Sequence, residues 1–418
     1  MQTTLPASQA STVEKVNRRQ LLLLATSMFV AMLTLTLPVV QVQEFVGRLL
    51  PGGGNDLDLA NTAKGLFVSA HFAAYIPFAF LWGGLSDRNG KRKPFLLMGM
   101  VGQAVMFFLM PFVGDIWLLY AARFVEGAFS IATVSMLMTI AVDTAPAGKR
   151  GMVLGVFTLG MLLGNATGVL LGGVLAKASY AYPFWTGTAL LSAVTILVAF
   201  AVREPKSVEA SRSFRSSMRV FQQHPRLAIP YAFTFLDRLT VGFFVSQFSI
   251  LAAEVYGLEP ADRGRYLGIF LLCFALLSPL GGMLSDRYGR VLPILVGTTV
   301  YGLMIMLVGR VALEPLYLVM LIGGISGAVL YPPSIAMVGD YAGPGQRGVA
   351  MGGFNLAGSI GYTVGPLLFG LVADRFGQLS TPLVAGGLCL VAVAIGAPVL
   401  LRREQPRGVT PELGVGSE

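Results

Sequence analysis

A few ionisable side chains interrupt the long apolar runs of this chain. Arg123 and Glu126 lie three residues apart in one run, Asp237 and Arg238 are adjacent in a later run, and His71 is one of only two histidines. Residues three apart on a helix share a face, so Arg123 and Glu126 can contact each other. Charges within a long apolar helix are costly and mark candidate functional sites. An imidazole titrates near neutral pH, and the set is therefore a candidate for proton binding and release.

The composition places these groups in a membrane protein. Hydrophobic residues make up 55% of the chain and charged residues 12%, whereas soluble domains average about 45–50% and about 25%. Twelve apolar runs have the roughly 20 residues that a bilayer-spanning helix needs. Cys273 and Cys389 each lie within an apolar run, so neither a disulfide framework nor a metal site is predicted.

The charge distribution predicts how the chain is oriented. The net charge is +9, and most of the 30 Lys and Arg residues fall in segments that would share a side with the N-terminus. This bias follows the positive-inside rule, which predicts that both termini are cytoplasmic. The positive-inside bias accounts for the net positive charge of the chain, so no nucleic-acid partner is predicted.

The apolar runs divide into two sets of six. We predict a disordered cytoplasmic N-terminus at 1–18, a six-helix bundle at 19–202, a cytoplasmic linker at 203–226, a second six-helix bundle at 227–401 and a cytoplasmic tail at 402–418. The predicted fold is an all-α membrane protein with twelve transmembrane helices in two pseudo-symmetric bundles.

A charged segment between helices 2 and 3 reveals the internal repeat. Asp87 recurs 199 positions later as Asp286, and Asp143 recurs as Asp340. A period of about half the chain indicates duplication of a whole bundle. The residues assigned to the charged segment and its repeat are Gly83, Asp87, Arg88, Gly90, Lys91, Arg92 and Asp143 in the first half, and Asp286, Arg287, Gly289, Arg290 and Asp340 in the second.

These aspartates are predicted to form a cytoplasmic latch between the halves. Each carboxylate lies at a helix C-terminus, where the helix dipole is already negative and outside support is needed. Symmetry suggests that the N-terminus of helix 11 supports Asp87 and that of helix 5 supports Asp286. Arg88, Lys91 and Arg92 are within reach of Asp143. The alternative is a basic turn that only sets topology; the repeated Asp-Arg-x-Gly pattern favours the latch.

The charged segment resembles the signature between helices 2 and 3 of the major facilitator superfamily. The resemblance extends from about Arg18 to Arg403 and implies two bundles that rock around a central site. It also implies that this segment helps to close the cytoplasmic side. The second copy departs from the signature because Leu292 and Pro293 replace basic residues.

Helix 4 resembles the signature of proton-coupled drug antiporters in that superfamily. It carries Leu119, Arg123, Glu126 and Gly127, and the resemblance implies that the arginine is tied to proton coupling. Glu126 stands where the signature usually has glutamine. A neutralised packing pair is the alternative for Arg123 and Glu126. For Asp237 the alternative is an ion pair with one of them across the bundle interface, and for His71 a packing role.

Helix 5 carries a glycine pattern that suits close helix packing. The pattern comprises Gly155, Gly164, Gly168, Gly172 and Gly173. Its spacing resembles the signature of antiporters in the superfamily, although Val169 replaces the expected proline. The proline appears instead in the second copy, as Pro366 after Gly365.

A substrate cavity is predicted between the bundles. Its candidate lining residues are Arg238, Asn165, Tyr331, Asn355 and Tyr362. No phosphate-binding loop or metalloprotease motif is found, and we predict neither an enzyme nor a cofactor. The driving force is expected to be the proton gradient.

The sequence therefore predicts a secondary transporter that works by alternating access and exports small amphiphilic molecules in exchange for protons. We expect a monomer in a bacterial inner membrane, whose partners are lipid, protons and a small-molecule substrate. The alternatives are a uniporter or proton symporter for a sugar, organic anion or lysolipid, and a non-transporting receptor on the same scaffold.

Overall fold

The computed structural model describes residues 18–54, 59–145, 150–204, 214–342 and 346–401. Almost all of the predicted N-terminal segment and the whole of the predicted tail lie outside these residues. The described residues are overwhelmingly helical, and no strand occurs among them. The all-α prediction is confirmed.

The first half consists of six long helices: α1 (Arg18–Thr36), α2 (Ala60–Asn89), α3 (Lys93–Leu109), α4 (Ile116–Asp143), α5 (Arg150–Ala178) and α6 (Tyr182–Ala201). The second half repeats this arrangement with α7 (Ala228–Gly242, a π-helical turn Phe243–Gln247 and Phe248–Tyr256), α8 (Pro260–Tyr288), α9 (Val291–Leu307), α10 (Leu313–Tyr341), α11 (Arg347–Phe376) and α12 (Ser380–Leu401). Eleven of these helical segments are long and apolar enough to cross a membrane. The 17-residue α9 is predominantly apolar and has no charged residue. It spans about 25 Å, which completes the predicted twelve.

The two halves pack as separate bundles that meet through two helix pairs. The side where α1 begins and α12 ends is called the termini side, and the opposite one the far side. Helices α2 and α11 run antiparallel across the interface, as do α5 and α8. Both pairs touch closely near their far-side ends, where Gly65 lies against the backbone of Pro366 and Gly264 against that of Val169.

The far side is the closed side of this structure. Hydrogen bonds from Thr62 to Asp374 and from Arg263 to Glu44 join the halves there. These contacts hold the two bundles together on the far side.

Three element boundaries differ from the sequence prediction. The first span is interrupted: α1 ends at Thr36, Pro38 follows, and a short helix, Val42–Gly47, comes next. Helix α2 continues through the charged segment to Asn89, because Gly90 at φ +60° supplies the left-handed residue that ends it. The predicted linker contains a helix, Phe214–Gln223.

The glycines of α5 let three helices pack against one another. A Cβ on Gly164, Gly168 or Gly172 would overlap backbone atoms of α1, and one on Gly173 would lie 2.6 Å from the carbonyl oxygen of Pro260 at the start of α8. Gly155 has no atom within 4 Å of its Cβ position. The stripe thus brings α5 against α1 within its own bundle and against α8 of the other.

We predict that Gly172→Ala destabilises the protein by about 1–3 kcal/mol, because the new methyl group must displace the backbone of Leu37. Gly155→Ala is the matched control and should be neutral or slightly stabilising, since alanine favours the helix. Thermal unfolding of the detergent-purified protein measures both. Equal melting temperatures for the two variants would contradict this packing assignment.

Candidate functional site

The centre of the first bundle holds a buried carboxylate with three hydrogen-bonding partners. Arg123 donates from Nη1 to Oε2 of Glu126 at 2.8 Å, and Gln103 donates from Nε2 to Oε1 at 3.0 Å. The Nδ1 atom of His71 lies 2.6 Å from Oε2. Glu126 and His71 are both completely buried. We call these four residues the Glu126 cluster.

Close helix packing assembles the Glu126 cluster. Gly127 follows Glu126, and a Cβ at this position would overlap the carbonyl group of His71. Helices α2 and α4 can therefore pack this closely only because residue 127 is glycine. Gln103 belongs to α3, which is the third helix that contributes to the cluster. The guanidinium of Arg123 also lies 4.9 Å from the ring centre of Phe67, a cation–π contact that stabilises its charge.

A hydrogen-bonded chain leads from this cluster toward the termini side. Nε2 of His71 lies 3.2 Å from the hydroxyl of Tyr75, one helical turn away, and that hydroxyl lies 2.9 Å from Oγ of Ser130. Tyr75 is only half-buried. The side chains of Tyr75 and His71 thus connect the buried Glu126 with a less enclosed position on α2.

The cluster can change its charge by one proton. With His71 neutral, the charges of Arg123 and Glu126 balance, as a buried pair requires. One further proton, shared between His71 and Glu126 across 2.6 Å, leaves the cluster with a net positive charge. A net charge in a low-dielectric interior is costly unless the surroundings rearrange. A change in the protonation of this cluster would therefore favour a different arrangement of the residues around it.

A second group of polar side chains lies in the other bundle. Arg238 of α7 donates from Nη1 to the hydroxyl of Tyr362 at 3.0 Å, and its guanidinium lies 4.3 Å from the ring centre of Tyr331. Nε of Arg238 is 3.6 Å from Oδ2 of Asp237. Both charged side chains are largely buried. We call these four residues the Arg238 cluster.

An aromatic stack joins the two clusters across the bundle interface. The rings of Phe72 and Tyr362 are nearly parallel, 13° apart, with centres separated by 4.4 Å. Phe72 follows His71 on α2, and Tyr362 on α11 binds Arg238. Because α2 and α11 belong to different bundles, any relative rotation of the bundles must change this stack. The stack thus joins a residue beside the Glu126 cluster to a residue of the Arg238 cluster.

The structure does not form the cross-bundle ion pair that the sequence left open for Asp237. The carboxylate lies beside the guanidinium of Arg238, its neighbour in sequence, whereas Arg123 and Glu126 bind each other within α4. Adjacent residues point to different helix faces, but the long arginine side chain bends back far enough to reach the aspartate.

The two remaining predicted lining residues are Asn165 and Asn355. Asn165 of α5 occupies the position that Tyr362 holds in the second half, and its Oδ1 is buried without a hydrogen-bond partner. Asn355 is exposed and lies seven residues before Tyr362 on α11. Seven residues make about two helical turns, so both residues share a face. That face of α11 is directed toward α2.

The charged segment of the first half forms contacts within its own bundle. Nη1 of Arg92 lies 2.5 Å from Oδ1 of Asp87, and Nε of the same arginine lies 3.6 Å from Asp143. Arg92 is almost completely buried. Its backbone N–H donates to the carboxylate of Glu204, which also accepts from Lys93.

The second copy repeats this geometry at the surface. Arg290 contacts Asp286 at 2.6 Å and Asp340 at 3.0 Å, and hydrogen bonding to Asp286 raises the pKa of Arg290 further above its usual value. Arg88, Lys91 and Arg287 are exposed. The ion pairs described here for both copies thus join residues of the same bundle. The latch between the halves stays a prediction for a conformation that closes the termini side.

Several residues of the site escaped the sequence prediction. Gln103, Tyr75, Ser130 and Phe72 were not selected, although each contacts a predicted residue or extends its hydrogen-bond chain. Gln103 carried a usable signal, because an amide within an apolar run needs a partner. Phe72 carried none, since phenylalanines are frequent throughout this chain.

Comparison with known proteins places the chain among membrane transporters. The family model described as Major Facilitator Superfamily matches residues 20–259 and 231–415. Multidrug resistance protein MdtG of Dickeya zeae is 28% identical over 347 residues, covering 79% of this chain and 82% of that protein. The class B tetracycline resistance protein of Escherichia coli is 24% identical, covering 82% and 86%.

A solved structure shows the same fold. A bacterial homologue of the human lysosomal transporter Spinster, described as inward-facing and unoccupied, superposes with a TM-score of 0.78 at 14% identity, covering 93% of this chain and 98% of that one. The match extends through both bundles. Together with the family model, it establishes that this chain belongs to the major facilitator superfamily of membrane transporters.

Proposed function

We propose that this transporter exports small amphiphilic molecules in exchange for protons. The observation that carries the proposal is the Glu126 cluster, in which a buried carboxylate and imidazole lie close enough to share one proton. Phe72, the residue after His71, stacks on Tyr362 of the other bundle. The relatives named for multidrug and tetracycline resistance supply the expected substrate class.

The direction of transport follows from the proposed orientation. The basic segments favour a cytoplasmic termini side, so this structure would be closed toward the outside. Substrate would then enter from the cytoplasm or the inner leaflet and reach the aromatic surroundings of Arg238, where Tyr331 and Tyr362 provide flat apolar surfaces. Aromatic walls around one charged group suit amphiphilic ligands.

Proton uptake and substrate binding are proposed to oppose each other. A proton on the His71–Glu126 pair adds positive charge on one side of the ring stack, and substrate bound near Arg238 acts on the other side. Each favours a different arrangement of α2 against α11. Alternating access follows, because a ligand shifts the equilibrium only by its differential affinity for the two states.

The proposal predicts that proteoliposomes with an acidic lumen accumulate tetracycline against its gradient. The transporters responsible are those inserted with the termini side facing the external solution. A uniporter would equilibrate tetracycline without regard to the pH gradient. A proton symporter would drive it out of the acidic lumen. Either of these results would contradict proton-coupled export, as would the absence of protein-dependent flux.

We predict that Glu126→Gln reduces gradient-driven accumulation to the level of protein-free liposomes, because the amide cannot carry the exchanged proton. Exchange of labelled for unlabelled tetracycline without a gradient should continue. Glu314→Gln, at an exposed glutamate in the first turn of α10, is the matched control and should behave like the wild type. Normal gradient-driven accumulation by Glu126→Gln would exclude this carboxylate as the coupling site.

Asp237 is the second candidate for proton coupling. Its Oδ2 lacks a hydrogen bond, although Arg238 lies nearby. The same assay on Asp237→Asn separates the two carboxylates: loss of gradient dependence in that variant, with normal coupling in Glu126→Gln, would move the proton site to the second bundle.

The cytoplasmic latch generates a further prediction. Asp87→Asn should leave the amount of inserted protein unchanged but slow export by roughly tenfold or more, because a charge-assisted contact worth about 1.5–3 kcal/mol is lost from the state closed on the termini side. Asp262→Asn, which breaks only an exposed pair with Arg265 on the far side, serves as the control. Export at the wild-type rate by Asp87→Asn would remove the latch from the mechanism.

A further inference from the structure

The far-side end of α2 depends on the other bundle for its helix cap. The N–H groups of Asn61 and Thr62 donate to Oδ1 and Oδ2 of Asp374 at 2.9 and 2.8 Å, and the hydroxyl of Thr62 donates to Oδ2 at 2.6 Å. Asp374 lies near the C-terminus of α11, in the second half. A carboxylate at a helix N-terminus satisfies free N–H groups and the positive end of the dipole.

The sequence of α2 provides no cap of its own. The residue before the helix is Leu59, which makes no side-chain capping hydrogen bond. Serine, threonine, aspartate or asparagine is the usual choice at that position. When the far side opens, the first turn of α2 must therefore give up the cap that Asp374 supplies and expose its N–H groups to water.

The residues around Asp374 allow and stabilise its contact with α2. A Cβ on Gly370, one turn before Asp374, would lie 2.7 Å from the carbonyl oxygen of Asn61, so α11 can approach α2 closely only with glycine there. Asn61 also accepts a hydrogen bond from Gln378 at 2.9 Å. Lys64, buried one turn into α2, interacts electrostatically with Glu254 and with Asp374, which offsets the cost of a carboxylate at this position.

The two interface helices end with the same sequence pattern. Helix α2 ends with Asp87-Arg88-Asn89-Gly90 on the termini side, and α11 ends with Asp374-Arg375-Phe376-Gly377 on the far side. In both cases the helix ends at a glycine with positive φ, +60° at Gly90 and +82° at Gly377. Each helix therefore presents an aspartate close to the level at which its antiparallel partner begins.

We propose that Asp374 is the far-side gate of this transporter: it caps α2 in the conformation closed on the far side and releases it when substrate leaves there. The proposal concerns the conformational equilibrium alone. It stands whether or not protons drive transport and whichever substrate is carried, so its test requires neither.

The test measures how often the far side is open. Nitroxide labels on Gly114→Cys and Ala312→Cys report the separation of the bundles there, because both positions are exposed and lie just before α4 and α10. Cys273 and Cys389 are replaced by alanine in all proteins. Pulsed electron–electron double resonance in lipid nanodiscs then gives the ratio of long to short distances between the two labels.

Asp374→Asn should raise the ratio of open to closed molecules on the order of tenfold, the usual effect of losing a helix cap. An asparagine side chain can accept from one of the two N–H groups but presents a donor to the other. Arg375→Gln, at the exposed neighbouring residue, should leave the ratio unchanged. An unchanged ratio in Asp374→Asn would overturn the proposal, even with a lower melting temperature.

A second pair of variants tests the same idea without altering Asp374. Leu59→Ser gives α2 a cap that moves with it, which lowers the cost of opening and should raise the open fraction. Leu59→Ala removes the same side chain without adding a cap and should leave that fraction near the wild-type value. Identical distance distributions for the serine and alanine variants would contradict the role of the cap in gating.

Discussion

The arrangement of this transporter depends on the need to neutralise one buried carboxylate. Glu126 lies buried in the centre of the first bundle, and three side chains from α2, α3 and α4 form hydrogen bonds with it. Removing Arg123 would leave a buried charge uncompensated at a cost of about 3–5 kcal/mol. The helices of that bundle are thus held at fixed distances around one charge. In the proposed mechanism, a change in the protonation of Glu126 therefore alters the packing of these helices.

The duplication that produced the fold did not preserve this site in both halves. Positions 197 residues after Arg123 and Glu126 carry Met320 and Gly323, which cannot form an ion pair. The second bundle instead carries Arg238, held by Tyr331 and Tyr362. The two halves of the repeated scaffold therefore carry different charged groups. The ring stack between α2 and α11 joins the halves next to both groups.

The sequence was sufficient for the fold and for part of the site. Long apolar runs and a repeated charged segment predict the twelve helices, because both signals are local. Arg123, Glu126 and His71 were found individually, since charges in apolar helices stand out. Their partners depend on tertiary packing: which face of α3 carries Gln103 inward, and which ring meets Tyr362, follow from helix rotation that periodicity does not determine. The same limit concealed the cap that Asp374 provides, because the two partners are over 300 residues apart.

Proton release on substrate binding tests the central claim most directly. Tetracycline is added to purified transporter in weakly buffered solution, at a pH at which the His71–Glu126 pair of the substrate-free protein is protonated. A pH indicator records the protons liberated per bound molecule. The account predicts release of about one proton per transporter by the wild type, from a single shared pair, and none by Glu126→Gln at saturating tetracycline. Binding without release by the wild type, or equal release by both proteins, would contradict it.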